Sequence, residues 1–180
     1  MFHHSEKILV IDIEATCWKG KVPEGQQNEI IEIGICILDT VYYEIIANDS
    51  ILVKPNSEIS PFCTELTTLT QNDVETGISL KEACQILQTH YLSKQPIWAS
   101  YGGYDRKLFE KECQSKCIEY PFSKEHINVK QLFAKTLNLK KQIGMAGALR
   151  KLDLPLEGTH HRGVDDAWNI AKILAWLLQQ

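Results

Sequence analysis

The sequence predicts an α/β fold, and two patterns carry this prediction. Apolar, β-branched runs of strand length occupy the first third of the chain, whereas apolar residues at helical spacing dominate the second half. The length of 180 residues fits one domain, spanning residues 1–180, and a 44% apolar composition can bury a substantial core. Because no run of about eighteen apolar residues occurs, we expect no membrane span and a cytoplasmic location.

The strand predictions begin with the segment Lys7–Glu14, which reads Lys-Ile-Leu-Val-Ile-Asp-Ile-Glu. Such a β-branched run is typical of a central strand that is covered on both faces. Ile30–Asp39 is a second apolar run, and Tyr42–Val53 alternates well enough to be its antiparallel neighbour. We therefore expect a three-stranded meander, after which Pro55 and Pro61 break the pattern.

Helical spacing then alternates with short strand candidates. Leu80–Leu92 has apolar residues at helical spacing, and Gln95–Ser100 is a short apolar strand candidate. Tyr104–Lys116 resumes the helical pattern after a double glycine, and His126–Val129 is a brief fifth strand candidate. The remaining predicted helices are Lys130–Leu137, Gly144–Leu152 and Val164–Gln179.

The charge balance limits the kind of nucleic-acid binding that we expect. A formal net charge of −4 argues against a high-affinity, sequence-reading DNA binder, because phosphate binding usually depends on clustered Lys and Arg. Carboxylates that bind divalent cations would weaken this objection, since two such ions neutralise four acidic groups. A mildly acidic nuclease with weak, end-specific binding is therefore physically reasonable.

Two acids, Asp12 and Glu14, end the otherwise apolar first strand. Strand side chains two positions apart point to the same face, so the two carboxylates should converge. Burying like charges together is costly unless a cation lies between them. A metal site therefore competes with a solvated strand end, and the short D-x-E motif needs partners elsewhere in the chain.

A second signal is a histidine five residues before an aspartate, in two registers: His160 with Asp165, or His161 with Asp166. Helical geometry separates the registers, because the positions four, seven and eleven after Asp166 are all apolar, unlike those after Asp165. We predict that Asp166 points inward and that Asp165 is an acid at the helix N-terminus. The favoured pair is His161 and Asp166.

The third acidic position, Asp105, begins a predicted helix after a strand and a double glycine, where an N-terminal cap would be the ordinary interpretation. Three separated acidic sites and one loop histidine nevertheless match two-metal phosphoryl chemistry, in which ions about 4 Å apart activate water and stabilise the leaving oxygen. The histidine would then be the general base, since its pKa is about 6.5.

Four ordered motifs resemble those of the DEDDh 3′-to-5′ exonucleases, most closely the ERI-type RNA exonucleases and their KapD-like bacterial relatives. The resemblance covers the chain from about Lys7 to Leu177. The motifs are Asp12–Cys17, Ile59–Thr67, Ser100–Lys107 and His161–Ala171.

This resemblance implies an RNase H-like (DnaQ-like) fold, with a five-stranded mixed sheet flanked by helices. It also implies two Mg²⁺ or Mn²⁺ ions and hydrolysis that releases nucleoside 5′-monophosphates from a nucleic-acid 3′ end, with RNA favoured over DNA. The implied metal ligands are Asp12, Glu14, Asp105 and Asp166, with His161 as the base that deprotonates water. The implied contacts to the terminal nucleotide are Ile13, Ala15, Thr16, Leu66 and Tyr104.

Other histidines and other functions are weighed against this interpretation. His3 and His4 are interpreted as an accidental N-terminal pair, and His90, His126 and His160 as ordinary histidines without acidic or cysteine partners at ligand spacing. A DNA exonuclease of the proofreading type is the nearest alternative. A silent binding module is disfavoured because all five site residues are present, and a small-molecule phosphatase because no phosphate-cradling glycine loop occurs.

Overall fold

The computed structural model describes residues 6–180 and contains one five-stranded sheet. His3 and His4 lie outside the described residues. The strand order is β3-β2-β1-β4-β5. The strands are β1 (Lys7–Ala15), β2 (Ile30–Asp39), β3 (Ile45–Leu52), β4 (Trp98–Ser100) and β5 (His126–Asn128).

The sheet is mixed, with β1 at its centre. β1 pairs antiparallel with β2 and parallel with β4. β2 pairs antiparallel with β3, and β4 pairs parallel with β5. The predicted meander, the central position of the first strand and the five-stranded mixed sheet flanked by helices are therefore confirmed.

Seven helices follow or separate these strands in the described part of the chain, and two of them are absent from the sequence prediction. The helices are α1 (Pro61–Thr67), α2 (Gln71–Glu75), α3 (Leu80–Thr89), α4 (Tyr104–Ser115), α5 (Val129–Thr136), α6 (Met145–Lys151) and α7 (Gly163–Leu178). The strand pattern ends before Pro55 and Pro61, as predicted, but Pro61 also opens α1, a helix that the sequence prediction lacks. Proline suits the first helical position, where its missing N–H is not needed, and the side chain of Ser60 caps the helix by accepting from the Cys63 N–H.

The third strand is shorter at its start than predicted. Residues 40–42 form a turn and residues 43–44 are irregular. In this connection the Asp39 carboxylate accepts hydrogen bonds from the backbone N–H groups of Val41 and Tyr42. Tyr43 has a left-handed φ of 58°, which a strand cannot contain. Other element ends shift by a few residues, where helices and strands ordinarily fray.

Alternation along β1 divides the core into two layers. Ile8 and Val10 point towards a cluster that includes Ile170 and Leu174 of α7. Leu9, Ile11 and Ile13 point the other way, towards a cluster formed largely by α3 and α4. The strand is thus covered on both faces, and the alternation places Asp12 and Glu14 on the α7 side.

Among residues 6–180, no helix combines the length and the apolar composition that crossing a lipid bilayer would require.

Candidate active site

Asp12, Glu14 and Asp166 meet at the end of β1. One carboxylate oxygen from each of these three residues lies within 4.8 Å of the other two. Strand alternation brings the first two together, and packing of α7 against β1 and β2 brings the third. The convergence that the D-x-E spacing predicts is therefore present, and it includes the acid predicted on the helix.

Asp105 joins this group from the first turn of α4. Its Oδ1 accepts a hydrogen bond of 3.2 Å from the backbone N–H of Ile13, between the two acids of β1. The interpretation of Asp105 as an N-terminal cap is wrong, because Gly103 is the N-cap residue and the Asp105 side chain is buried. The buried carboxylate instead faces the strand end, where it accepts the hydrogen bond from the Ile13 N–H.

The four carboxylates repel one another in a buried setting. Burial, and next the charge of Asp105, raise the pKa of Asp12 well above its usual range. Burial, and next the charge of Asp166, raise the pKa of Glu14 to about 9. Such a cluster of oxygen ligands fits hard divalent cations, because their charge would relieve both the repulsion and the cost of burial.

The two adjacent aspartates of α7 have different surroundings, as the helical periodicity predicts. Asp166 is 5% exposed and faces β1. Asp165 points to the preceding loop, where its Oδ2 accepts a hydrogen bond of 2.7 Å from the Thr159 N–H. Asp165 therefore holds the loop in place, and Asp166 is the carboxylate that the acidic cluster contains.

The loop before α7 carries both histidines. The Nδ1 atom of His160 lies 2.9 Å from Oδ2 of Asp166, and the His160 and His161 rings are stacked with centroids 3.9 Å apart. The interpretation of His160 as a histidine without an acidic partner was therefore wrong. His161 has a left-handed φ of 67°, and this turn in the loop brings His160, rather than its neighbour, into hydrogen-bonding distance of the carboxylate.

His161 still lies beside the acidic cluster. Its backbone N–H donates to Oδ2 of Asp166 at 3.1 Å, and one of its ring nitrogens lies within 4.8 Å of that carboxylate. Partial burial, and next the neighbouring His160, lower the pKa of His161 below its ordinary value. The ring is therefore mostly neutral near pH 7 and can accept a proton.

The N-terminus of α7 is fixed by a carboxylate that the sequence analysis did not single out. Glu32 of β2 is fully buried and accepts hydrogen bonds from Nε and Nη2 of Arg162, at 3.1 and 3.2 Å. It also accepts from the backbone N–H of Gly163 at 2.8 Å. A single glutamate inside an otherwise apolar strand was the available signal, because a buried charge requires a partner.

The predicted nucleotide contacts occupy different environments. Ile13 and Ala15 are buried at the end of β1, and Leu66 of α1 is half-buried. Thr16 is fully buried, and its hydroxyl donates to the Gln27 carbonyl and accepts from the Glu29 N–H. This side chain fastens the loop that follows β1.

Tyr104 is the predicted contact most open to solvent, since it is 55% exposed. It begins α4 and immediately precedes Asp105. Burial of its hydroxyl, and next the charge of Asp105, raise the pKa of Tyr104, with a smaller contribution from Glu14. An exposed aromatic ring thus stands beside the carboxylates.

Comparison with known proteins identifies the family. Residues 9–174 match the family of exonucleases designated RNase_T. A solved structure described as the nuclease domain of 3′hExo, a DEDDh family member, bound to rAMP, is 31% identical; the alignment covers 97% of this chain and 92% of that one, with a TM-score of 0.86. The chain belongs to the DEDDh exonuclease family. Enzymes of this family use divalent metal ions, which the carboxylate cluster fits.

Curated relatives of this DEDDh chain are longer than the chain itself. The 3′-5′ exoribonuclease 1 of Rattus norvegicus is 30% identical to this chain, and the alignment covers 96% of the chain. The human 3′-5′ exoribonuclease 1 has the same identity and the same coverage of this chain. The chain spans about half the length of these relatives, 53% and 52% respectively.

Proposed function

We propose that this chain is a metal-dependent 3′-to-5′ exonuclease that acts on RNA and releases nucleoside 5′-monophosphates. The observation that carries the proposal is the convergence of carboxylates from β1 and α7, with a carboxylate of α4 hydrogen-bonded to the same strand end. A histidine whose pKa is lowered by partial burial, His161, stands at the edge of this cluster. Membership of the DEDDh family supports the same conclusion.

Asp12, Glu14, Asp105 and Asp166 are the residues that would hold two Mg²⁺ or Mn²⁺ ions. When bound, such ions activate water and stabilise the leaving oxygen of an in-line displacement. The protein's own contribution is to hold these oxygen ligands rigidly, since they come from a central strand and two helices packed against it. The hydrogen bond from the Ile13 N–H keeps the third acid facing this strand end.

His161 is the proposed general base, which takes the proton of the attacking water. Its lowered pKa keeps the ring neutral near pH 7, as this role requires. The backbone bond from His161 to Asp166 ties the position of the base to that of a metal ligand. In this reaction His160 is proposed to contact Asp166 and not to carry the proton.

RNA is the proposed substrate because similar proteins are named or described as acting on RNA. The rat and human relatives are named 3′-5′ exoribonucleases, and one similar solved structure is described as 3′-end specific recognition of a histone mRNA stem-loop by 3′-exonuclease, with a TM-score of 0.84 and 30% identity. The RNA 3′ end is thus the proposed partner. Discrimination against DNA would depend on a contact to the terminal 2′-hydroxyl.

The terminal nucleotide is proposed to lie between β1, α1 and the start of α4. Tyr104 offers an exposed ring for stacking, and Leu66 offers an apolar edge. Ile13 and Ala15 would form the floor of this site. The Thr16 hydroxyl already forms hydrogen bonds with the backbone of Gln27 and Glu29, in the loop that follows β1. We therefore propose that Thr16 shapes the nucleotide site by holding this loop in place.

The deciding experiment incubates the purified protein with 5′-labelled single-stranded RNA and DNA of the same sequence. Each substrate is tested with Mg²⁺, with Mn²⁺ and with chelator. We expect a metal-dependent ladder that shortens from the 3′ end and progresses faster on RNA. Thin-layer analysis of the products should give nucleoside 5′-monophosphates.

Two variants make the result specific. Asp12→Asn should abolish the ladder, whereas Glu125→Gln, which changes an exposed carboxylate immediately before β5, should leave it intact. A folded protein that degrades neither polymer under any metal condition would overturn the catalytic proposal. Faster degradation of DNA than of RNA would contradict the proposal that RNA is the substrate, but it would leave the proposed metal-dependent mechanism unchanged.

A further inference from the structure

A second group of possible metal ligands adjoins the carboxylate cluster and differs from it in chemistry. His160, His161 and Asp166 each offer one ligand atom, and these three atoms lie within 4.8 Å of one another. Two imidazoles and one carboxylate make up this group, which we call the histidine site. The other cluster, Asp12, Glu14 and Asp166, offers oxygen atoms alone.

The histidine site is partly open to solvent, and its ligand groups are neighbours. The His160 side chain is 42% exposed and that of Asp166 is 7% exposed, so an ion can enter from solvent and reach an inner carboxylate. His160 Nδ1 lies 2.9 Å from Oδ2 of Asp166 and the two imidazole rings are stacked, so the three ligand groups are close neighbours, and a bound ion would replace the bond between His160 and Asp166. Thr159, bonded to Asp165, holds the loop on α7.

The donor set of the histidine site selects a different kind of ion from that of the acidic cluster. Mg²⁺ takes oxygen ligands and keeps most of its water, whereas imidazole nitrogen suits Zn²⁺ and its neighbours in the first transition row. Three protein ligands with a position left for water are a common arrangement for zinc. We propose that His160, His161 and Asp166 form a site for a transition-metal ion such as Zn²⁺, distinct from the oxygen-ligand site.

Occupation of the histidine site would block the reaction. Asp166 belongs to both the histidine site and the acidic cluster, and His161 is the proposed base. One Zn²⁺ bound at the histidine site would therefore take a ligand from the acidic cluster and also occupy the nitrogen that accepts the proton. The inhibitory consequence rests on the proposed function, whereas the binding itself does not. The second histidine is what creates the site, since the motif of the family accounts for His161 and Asp166 without His160.

The test of binding is calorimetric titration of the chelator-treated protein with Zn²⁺. His160→Gln should weaken the tightest site by roughly tenfold to a hundredfold or more, because even outer-shell changes at metal sites have effects of that size. His161→Gln should weaken it similarly. His90→Gln removes an exposed histidine at the end of α3 and is the matched control, which should leave the affinity unchanged.

Two further experiments distinguish zinc binding at the histidine site from metal binding at the acidic cluster. Asp12→Asn should reduce Mg²⁺ or Mn²⁺ binding and keep the tight zinc site. In the exonuclease assay with Mg²⁺, the zinc concentration that halves the rate should rise at least tenfold for His160→Gln, each protein being compared with its own zinc-free rate.

An unchanged zinc affinity in both histidine variants would overturn the proposal, as would loss of the tight zinc site in Asp12→Asn. If the wild-type protein has no exonuclease activity, calorimetry alone still decides whether the histidine site exists. The failure of the zinc proposal and the failure of the proposed function are thus separate results.

Discussion

Gly34 of β2 and Gly163 of α7 are in direct backbone contact. A Cβ atom built on Gly34 would lie 1.8 Å from the Gly163 carbonyl oxygen, which no side chain rearrangement can relieve because the neighbour is backbone. This contact allows the N-terminus of α7 to lie directly on the sheet. Asp166, one turn further along, therefore reaches the acids of β1.

Substitution of Gly34 by Ala should destabilise the protein and also reduce its activity. Overpacking against rigid neighbours costs typically about 1–3 kcal/mol, and Gly34→Ala should lie at the upper end of that range or beyond. Gly163→Ala should cost less, because its Cβ would lie 2.9 Å from the Gly34 nitrogen. Urea denaturation and the exonuclease rate measure the two effects.

Gly147→Ala is the matched control for these glycine variants. The nearest atom to a Cβ at Gly147 is 3.7 Å away, which is ordinary contact, and the residue lies inside α6. Alanine there should stabilise the helix by up to about 1 kcal/mol and leave the exonuclease rate unchanged. Equal stability of Gly34→Ala and wild type would contradict the assigned role of the glycine contact.

Removal of the guanidinium that neutralises Glu32 should destabilise the same junction. In Arg162→Met the fully buried Glu32 loses both bonds from the guanidinium, although the Gly163 N–H still donates to it. Breaking a buried ion pair costs roughly 3–5 kcal/mol, and the partial exposure of Arg162 puts this case near the lower end.

A double-mutant cycle measures the coupling between Glu32 and Arg162. Glu32→Gln should itself be destabilising, and the double variant should be more stable than the sum of the single effects predicts. Glu110, which pairs with Arg106 on the exposed face of α4, supplies the control. Arg106→Met should change stability by less than about 1 kcal/mol. Additive effects of the Glu32 and Arg162 changes would exclude the proposed coupling.

The metal-free protein should lose stability as the pH rises. The folded-state pKa of Glu14 is raised from 4.5 to about 9, so the folded protein keeps a proton that the unfolded chain releases over this interval. The free energy of unfolding therefore falls as pH rises between these two values. Thermal unfolding in chelator should give a lower Tm at pH 8 than at pH 5.5.

Divalent ions should oppose this loss of stability at high pH, because they bind the ionised carboxylates. Mg²⁺ or Mn²⁺ should raise the Tm more at pH 8 than at pH 5.5. Glu14→Gln should raise the metal-free Tm at pH 8, reduce its pH dependence and reduce the exonuclease rate. Glu125→Gln should behave as wild type, and a Tm of the chelated wild type that increases from pH 5.5 to pH 8 would contradict the prediction.

The sequence predicted those parts of the fold and site that depend on local periodicity. The apolar run around Asp12 identified the central strand, and the apolar stripe of α7 identified Asp166 rather than Asp165 as the inward acid. The sequence analysis missed α1 and α2, because helices of seven and five residues are too short to show a stripe of apolar residues at helical spacing. The Thr70 and Asp73 capping box was the available signal for α2.

Contacts between distant segments could not be predicted in the same way. The bond between the Ile13 N–H and Asp105 joins residues 92 positions apart, and the Glu32 and Arg162 pair joins residues 130 positions apart. The contact of His160 with Asp166 depends on left-handed φ angles at Gly158 and His161, which spacing alone does not indicate. These contacts are set by how the elements pack.

Tyr104 supplies the last prediction, which concerns substrate binding rather than chemistry. Stacking of one base on an aromatic ring contributes about 1–3 kcal/mol, so Tyr104→Ala should raise the KM for a short RNA by roughly 5- to 150-fold. Tyr104→Phe keeps the ring and should raise it little. The expected effect on kcat is smaller, because in the proposed site the ring would contact the base and not the scissile phosphate.

Tyr42 provides the control for the loss of an exposed tyrosine. It is 74% exposed in the turn between β2 and β3, and Tyr42→Ala should leave both KM and kcat unchanged. Steady-state rates on oligonucleotides of different 3′-terminal base separate stacking from a specific contact, since stacking tolerates every base. If Tyr104→Ala lowered kcat at constant KM, the ring would act on the reacting groups, and its assignment to the nucleotide site would be wrong.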